Sequence, residues 1–231
     1  MAANQTNVPF MPEPRIERAA ADVLATWGRD HDWAPSPPVP VEEIIESQLG
    51  LLVEHDDLRS RLGLDDVLGA IWFDDKLVVV EQQLDPADHP HRLGRYRWTL
   101  SHEAGHWVLH RGHLLRDPAQ SALFGDRGAP AFVCRSTRKP PVEIQADLFA
   151  KHLLLPTALV REAWRAWRGD AEPAFISDLR RDAPTAASDD EIVDRFIRPL
   201  ADRFEASMEA TRNRTIELGL VLKSRDGLLF S

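Results

Sequence analysis

Apolar residues at helical spacing open the chain. Ile16, Ala19, Ala20, Val23, Leu24 and Trp27 predict an amphipathic helix over residues 15–30 that ends near Gly28. A proline-rich connector, Pro35 to Pro40, leads to a short second helix from Val41 to Leu49, stopped by Gly50. The pattern then changes period. Residues 51–54 are strand-like, and 69–73 and 77–81 form a β-hairpin across Asp74, Asp75 and Lys76. After a loop at 85–91, Tyr96, Leu100, Trp107 and Leu109 predict a helix over 92–110. Residues 111–142, rich in Gly and Pro, read as irregular. Helices follow from Glu143 to about Leu155, stopped by Pro156, and from Thr157 to Trp167.

The remainder divides by composition. Residues 169–190 are rich in Ala, Pro, Asp and Ser and read as a linker with room for one short helical turn. Ser188 and Glu191 have capping-box spacing, so a helix starts there. One or two helices between Leu200 and Leu218 end at Gly219, with Pro199 as an entry or kink. The expected organisation is a flexible segment at 1–14, a domain at 15–168, a linker at 169–190 and a helical segment at 191–223. A few early strands followed by helices make an α+β fold.

Composition narrows the function classes. The chain has 231 residues with 43% apolar and 28% charged, ordinary for a soluble globular protein. No apolar run is long enough for a membrane span, and no basic-then-apolar leader opens the sequence, so no membrane association is expected. A net charge of −9 argues against direct nucleic-acid binding. On the C-terminal helices, Arg203, Arg212, Arg214 and Lys223 are interleaved with Glu205, Glu209 and Glu217, so a DNA-binding role is disfavoured. The single cysteine, Cys134, cannot form an internal disulfide, which points to the cytoplasm. Cys134 reads as a buried thiol, with a redox or foreign-metal sensor as the alternative.

The chemistry is concentrated in His102-Glu103-Ala104-Gly105-His106. Histidines at i and i+4 share a helix face, so both rings can reach one cation. Glu103 is placed to take a proton from water at the fourth position. A chance match would arise in about two per cent of shuffled chains, so context must decide. Gly105 removes a side chain beside the site and lets another backbone approach. A catalytic zinc site needs a third ligand. The extended pattern with a third histidine fails, because Leu109 and Gly112 occupy its positions. Glu143 is the better candidate; its alternative role is a first-turn carboxylate favouring the helix dipole. Asp147, one turn on, can hold the far nitrogen of a ligating histidine. His110 either lines the cleft or is an ordinary hydrogen-bonded histidine. Tyr96, His110, His113 and nearby arginines are the candidates for stabilising an oxyanion.

These segments resemble the ImmA/IrrE family of metallopeptidases. Arg97-Trp-Thr-Leu-Ser-His-Glu-Ala-Gly-His looks like that family's motif helix, and Glu143-Ile-Gln-Ala-Asp-Leu-Phe-Ala through Pro156 looks like its second signature. The resemblance covers about residues 15–165, with a further similarity in the tail at 200–220. The departures are Ser101, Ala104 and Leu155, all outside the proposed ligands. The resemblance implies a zincin-like domain with a small sheet on the motif helix and a C-terminal helical tail. It implies a zinc endopeptidase, manganese being the alternative cation, with His102, His106 and Glu143 as ligands and Glu103 as base. Members often cut a helix-turn-helix repressor or antitoxin, which makes such a protein the expected partner. The competing reading is a regulator that keeps the metal fold and acts by binding. The sequence is silent on oligomeric state.

Overall fold

The computed structural model describes residues 8–114, 130–135, 140–182 and 188–224. The fold is α+β and divides into two compact units. The first comprises Met1–Pro35 and Val39–Leu154, the second Ser36–Pro38 and Leu155–Ser231. The expected boundary at 168 therefore falls inside the second unit, because the helix after Pro156 belongs with the chain that follows it.

The first unit begins with helix α1, Glu13–His31, which buries Ile16, Ala20, Val23 and Trp27. It starts inside the segment expected to be flexible; residues 1–7 of that segment lie outside the described residues. Helix α2, Val41–Glu43, continues as a wide turn over Ile44–Gln48. Strand β1 is Leu52–Asp56, helix α3 Leu58–Leu62, strand β2 Val67–Trp72 and strand β3 Leu77–Glu81. The hairpin forms as expected, with Ile71 opposite Val78. Lys76 takes φ 51° in its turn.

A fourth strand, β4 (Phe132–Arg135), corrects the reading of 111–142 as irregular. It pairs antiparallel with β2, placing Cys134 opposite Gly69 and Phe132 opposite Ile71. The sheet order is β1-β3-β2-β4, with β1 parallel to β3. Most of the rest of 111–142 lies outside the described residues.

Helix α4, Leu93–Gly105, continues through a π-type turn, His106–His110, into α5, Arg111–Leu114. Helix α4 contacts β2, β3 and β4 and packs against α6, Pro141–Leu154. Between Tyr96 and His110 only Trp98, Trp107 and Val108 escape full burial. A helix covered all round must pair its polar groups. Arg97, 4% exposed, donates to Glu42 at 2.8 Å and to the Val39 carbonyl.

Gly105 marks the closest approach of α4 and α6. A Cβ there would meet Ala146 Cα and Phe149 Cβ at 3.1 Å and Ala146 O at 3.2 Å. The backbone expected to approach is thus that of α6, the helix carrying Glu143. Helix propensity favours a larger residue by under about 1 kcal/mol, but a branched side chain must push a neighbouring backbone aside. Gly105→Val is expected to destabilise the protein by about 1–3 kcal/mol, read as a lower urea midpoint.

The second unit holds α7 (Thr157–Arg168), β5 (Ala174–Phe175), α8 (Ile176–Asp182), α9 (Asp189–Phe204), α10 (Met208–Glu217) and β6 (Val221–Leu222). The linker reading of 169–190, which left room for one short helical turn, is corrected over 174–182 by β5 and α8, while 183–187 lie outside the described residues. Strand β5 pairs parallel with β6, a partnership no local pattern announces. Helix α9 starts as expected, with the Ser188 hydroxyl accepting from the Glu191 N–H. Pro199 lies inside this helix and is not its entry. Arg214, 1% exposed, donates to the Leu155 carbonyl and to Thr157 and Glu217 within this unit. Among the described residues no helix is long and apolar enough to cross a membrane.

Candidate metal centre

Two helices build the centre. His102 and His106 lie one turn apart on α4 and its continuation, and Glu143 lies in the first turn of α6. His102 Nε2 is 3.0 Å from Glu143 Oε2 and 3.0 Å from His106 Nε2; His106 Nε2 is 3.4 Å from Glu143 Oε1. A tetrahedral ion with bonds of about 2.0–2.1 Å separates its donors by about 3.3 Å, close to these edges. His102, His106 and Glu143 are 2%, 0% and 6% exposed.

The surrounding hydrogen bonds set where the lone pairs point. Asp147 Oδ1 lies 3.0 Å from His102 Nδ1, so that nitrogen carries the proton and Nε2 is left free to ligate. The second ring is set by a longer relay. Gln145 donates its amide N–H to the Pro9 carbonyl at 3.3 Å, which turns its carbonyl oxygen toward His110 Nε2 at 3.4 Å. His110 Nδ1 then accepts from His106 Nδ1–H across 3.0 Å, and His106 Nε2 is also left as a lone pair. The π-type turn between the two histidines widens the helix where they face each other. Phe132 of β4 stacks on the His106 ring, with centroids 4.1 Å apart and planes at 11°.

Two nitrogen lone pairs and a carboxylate therefore converge in a dry place, an arrangement that repels itself unless a positive charge joins it. The electrostatics agree. Burial would raise the Glu143 carboxyl, but His102 and His106 outweigh it and hold it well below the usual carboxylate range. Burial, aided by repulsion from His102, pushes His106 down to about 4. Burial and then His106 push His110 down to about 3. Burial disfavours charge on His102 too, yet Cys134, Asp147 and Glu143 raise it well above its ordinary value, so with no cation bound the positive charge this centre draws in is a proton on His102, on the nitrogen a cation would take. The residues present fit a divalent cation.

Glu103 faces the sheet side of α4 and is 0% exposed. No side chain among the described residues hydrogen-bonds either of its oxygens, and the Cys134 backbone N–H is the one donor that favours its charged form. Burial pushes its carboxyl up to about 8, Glu143 adding to the shift and His102 opposing it. Gly69 makes room for it: a Cβ there would stand 3.1 Å from Glu103 Oε1 and 2.6 Å from the Thr99 methyl. Cys134, on the strand opposite Gly69, is buried beside Glu103 and His102.

The structure brings His102, Glu103, His106, Asp147, Glu143 and His110 together. His113 of α5 is not part of this cluster. Tyr96 stacks on His55 of β1, with centroids 5.5 Å apart, and joins neither donor set. Burial, with Glu42, Glu46 and Asp85 nearby, pushes Tyr96 up to about 12 from an ordinary 10. The folded chain keeps a proton that the unfolded chain releases above pH 10. Stability is therefore intact below pH 10 and falls by about 2 kcal/mol as pH rises toward 12. Tyr96 is the chain's one tyrosine. Its tyrosinate absorbance is expected to appear near pH 12 in the folded protein and near 10 in denaturant.

Gln145, Phe132 and Gly69 escaped the sequence reading. Gln145 stands inside the second signature, where its amide was the available signal. Phe132 and Cys134 alternate with Val133 over four residues, too short a strand to read locally.

A family model described as the IrrE N-terminal-like domain, a peptidase domain, matches residues 87–215. No curated protein matches the chain.

Proposed function

The chain belongs to the peptidase family of the IrrE N-terminal-like domain, and from that premise we propose that it is a zinc-dependent endopeptidase with His102, His106 and Glu143 holding the cation and Glu103 as its base. The observation that supports this reading is the convergence of three donor atoms within 4.8 Å, beside a buried carboxylate that no side chain among the described residues hydrogen-bonds. A cation held there supplies Lewis acidity toward water and toward a peptide carbonyl. Glu103 takes the proton of the attacking water on a carboxylate oxygen and returns it to the leaving amide nitrogen. Burial strengthens Glu103 as a base, which suits its accepting the water's proton. Asp147 holds His102 in place, and the Gln145–His110 relay does the same for His106. Phe132 fixes the plane of the His106 ring and keeps water from its face.

The proposed substrate is a helix-turn-helix repressor or antitoxin, supported by the resemblance of the two signature segments to the ImmA/IrrE peptidases. The proposed place of action is the cytoplasm, supported by the lone Cys134, which forms no internal disulfide. The test is incubation of the purified chain and zinc or manganese with the helix-turn-helix protein encoded beside it. The expected result is a cut at a defined bond that a chelator stops. Tight association without cleavage would replace the peptidase with a regulator that acts by binding.

A further inference from the structure

A second set of metal-ligating side chains meets at the edge of the first. Cys134 Sγ, a Glu103 carboxylate oxygen and a His102 ring nitrogen lie within 4.8 Å of one another. Cys134 is 5% exposed, Glu103 0% and His102 2%. No side chain hydrogen-bonds either Glu103 oxygen among the described residues, and the Cys134 backbone N–H is the one donor that favours its charge, thin support for a carboxylate at that depth. The thiol arrives from the sheet: Phe132 and Cys134 are the two buried residues of β4, and Phe132 is the one stacked over His106.

We propose that Cys134, Glu103 and His102 form a second, soft-cation site that competes with the His102–His106–Glu143 site for one imidazole. His102 Nδ1 is engaged by Asp147, so Nε2 is the nitrogen it can offer, and Nε2 serves one ion at a time. The two positions therefore exclude each other. The donor sets differ in kind. Two imidazoles and a carboxylate carry one negative charge and suit zinc or manganese. A thiolate, a carboxylate and an imidazole carry two, which neutralise a divalent ion in a dry interior. The sulfur selects thiophilic ions such as cadmium or copper over manganese. Binding forms bonds from Sγ, the Glu103 oxygen and Nε2 to the ion, and releases the thiol proton to solvent. An ion there takes Glu103 from proton transfer and His102 from the first site, so soft metals inhibit. The proposal goes beyond the peptidase reading, and cation binding tests it without substrate.

The test is titration of the metal-free full chain with cadmium, followed by the thiolate-to-cadmium charge-transfer absorbance. The band is expected in the wild type and absent in Cys134→Ser. It is expected to persist in Glu143→Gln, which lies outside the second set. Glu103→Gln is expected to weaken apparent cadmium affinity by more than about tenfold while sparing manganese affinity. Circular dichroism checks the fold of each variant, and cadmium NMR of the wild type reports a sulfur-nitrogen-oxygen ligand set with no substitution. Absence of sulfur ligation in the wild type would overturn the proposal. So would a band that vanishes in Glu143→Gln and is indifferent to Glu103→Gln, since Cys134 would then be a fourth ligand of the first site.

Discussion

Glu103→Gln is expected to bind one divalent cation per chain as tightly as the wild type and to lose cleavage by about 10²–10⁴-fold. The change keeps the shape of the side chain and removes the atom that accepts a proton. Glu103 lies outside the set formed by His102, His106 and Glu143, so affinity at that site has no reason to fall. The amide also cannot bring a buried charge, so the folded protein is expected to be at least as stable as wild type. Turnover by quantified product and cation content by metal analysis separate the two effects. A variant that cuts at the wild-type rate would remove Glu103 from the chemistry.

Glu143→Gln is expected to do the reverse: cation affinity drops first and activity drops because of it. Glu143 carries the one negative charge among the three donors, and its oxygens lie 3.0 and 3.4 Å from the two ring nitrogens. Loss of an outer partner such as Asp147 lowers affinity by about 10–100-fold, and loss of a ligand lowers it further. Competition with a chelator measures both. The expected order of affinities is wild type, then Asp147→Asn, then Glu143→Gln. At saturating cation Asp147→Asn is expected to regain most of its activity. An affinity for Glu143→Gln equal to that of the wild type would show that the carboxylate is not a ligand.

Much of this site was legible because helical geometry is local. Histidines at 102 and 106 must share a face, and so must Glu143 and Asp147, whatever the rest of the chain does. The β2–β3 hairpin and the Ser188 cap were legible for the same reason: their partners are close in sequence. What could not be read were pairings made across long stretches of chain. Strand β4 is four residues in a Gly- and Pro-rich region, and its partner β2 lies far upstream. Strand β5 exists because β6 lies beside it. The role of His110 was undecidable from spacing alone. It depends on Gln145, which takes its orientation from the Pro9 carbonyl. Tyr96 has its place on the motif helix, but its stacking partner, His55 of β1, could not be read from spacing.

The burial of Cys134 against Glu103 has the same origin. Nothing near Cys134 in sequence suggests a carboxylate neighbour, and the sheet register that puts it opposite Gly69 supplies one. Gly69 then has two jobs, a strand position without a side chain and a seat for the Glu103 carboxylate.

Anomalous diffraction at the zinc edge, from crystals of the chain loaded with one equivalent of zinc, tests the central claim most directly. The expected result is a single peak about 2.0–2.2 Å from His102 Nε2, His106 Nε2 and a Glu143 oxygen. A peak elsewhere, or a Glu143 side chain turned away while another group completes the set, would contradict it.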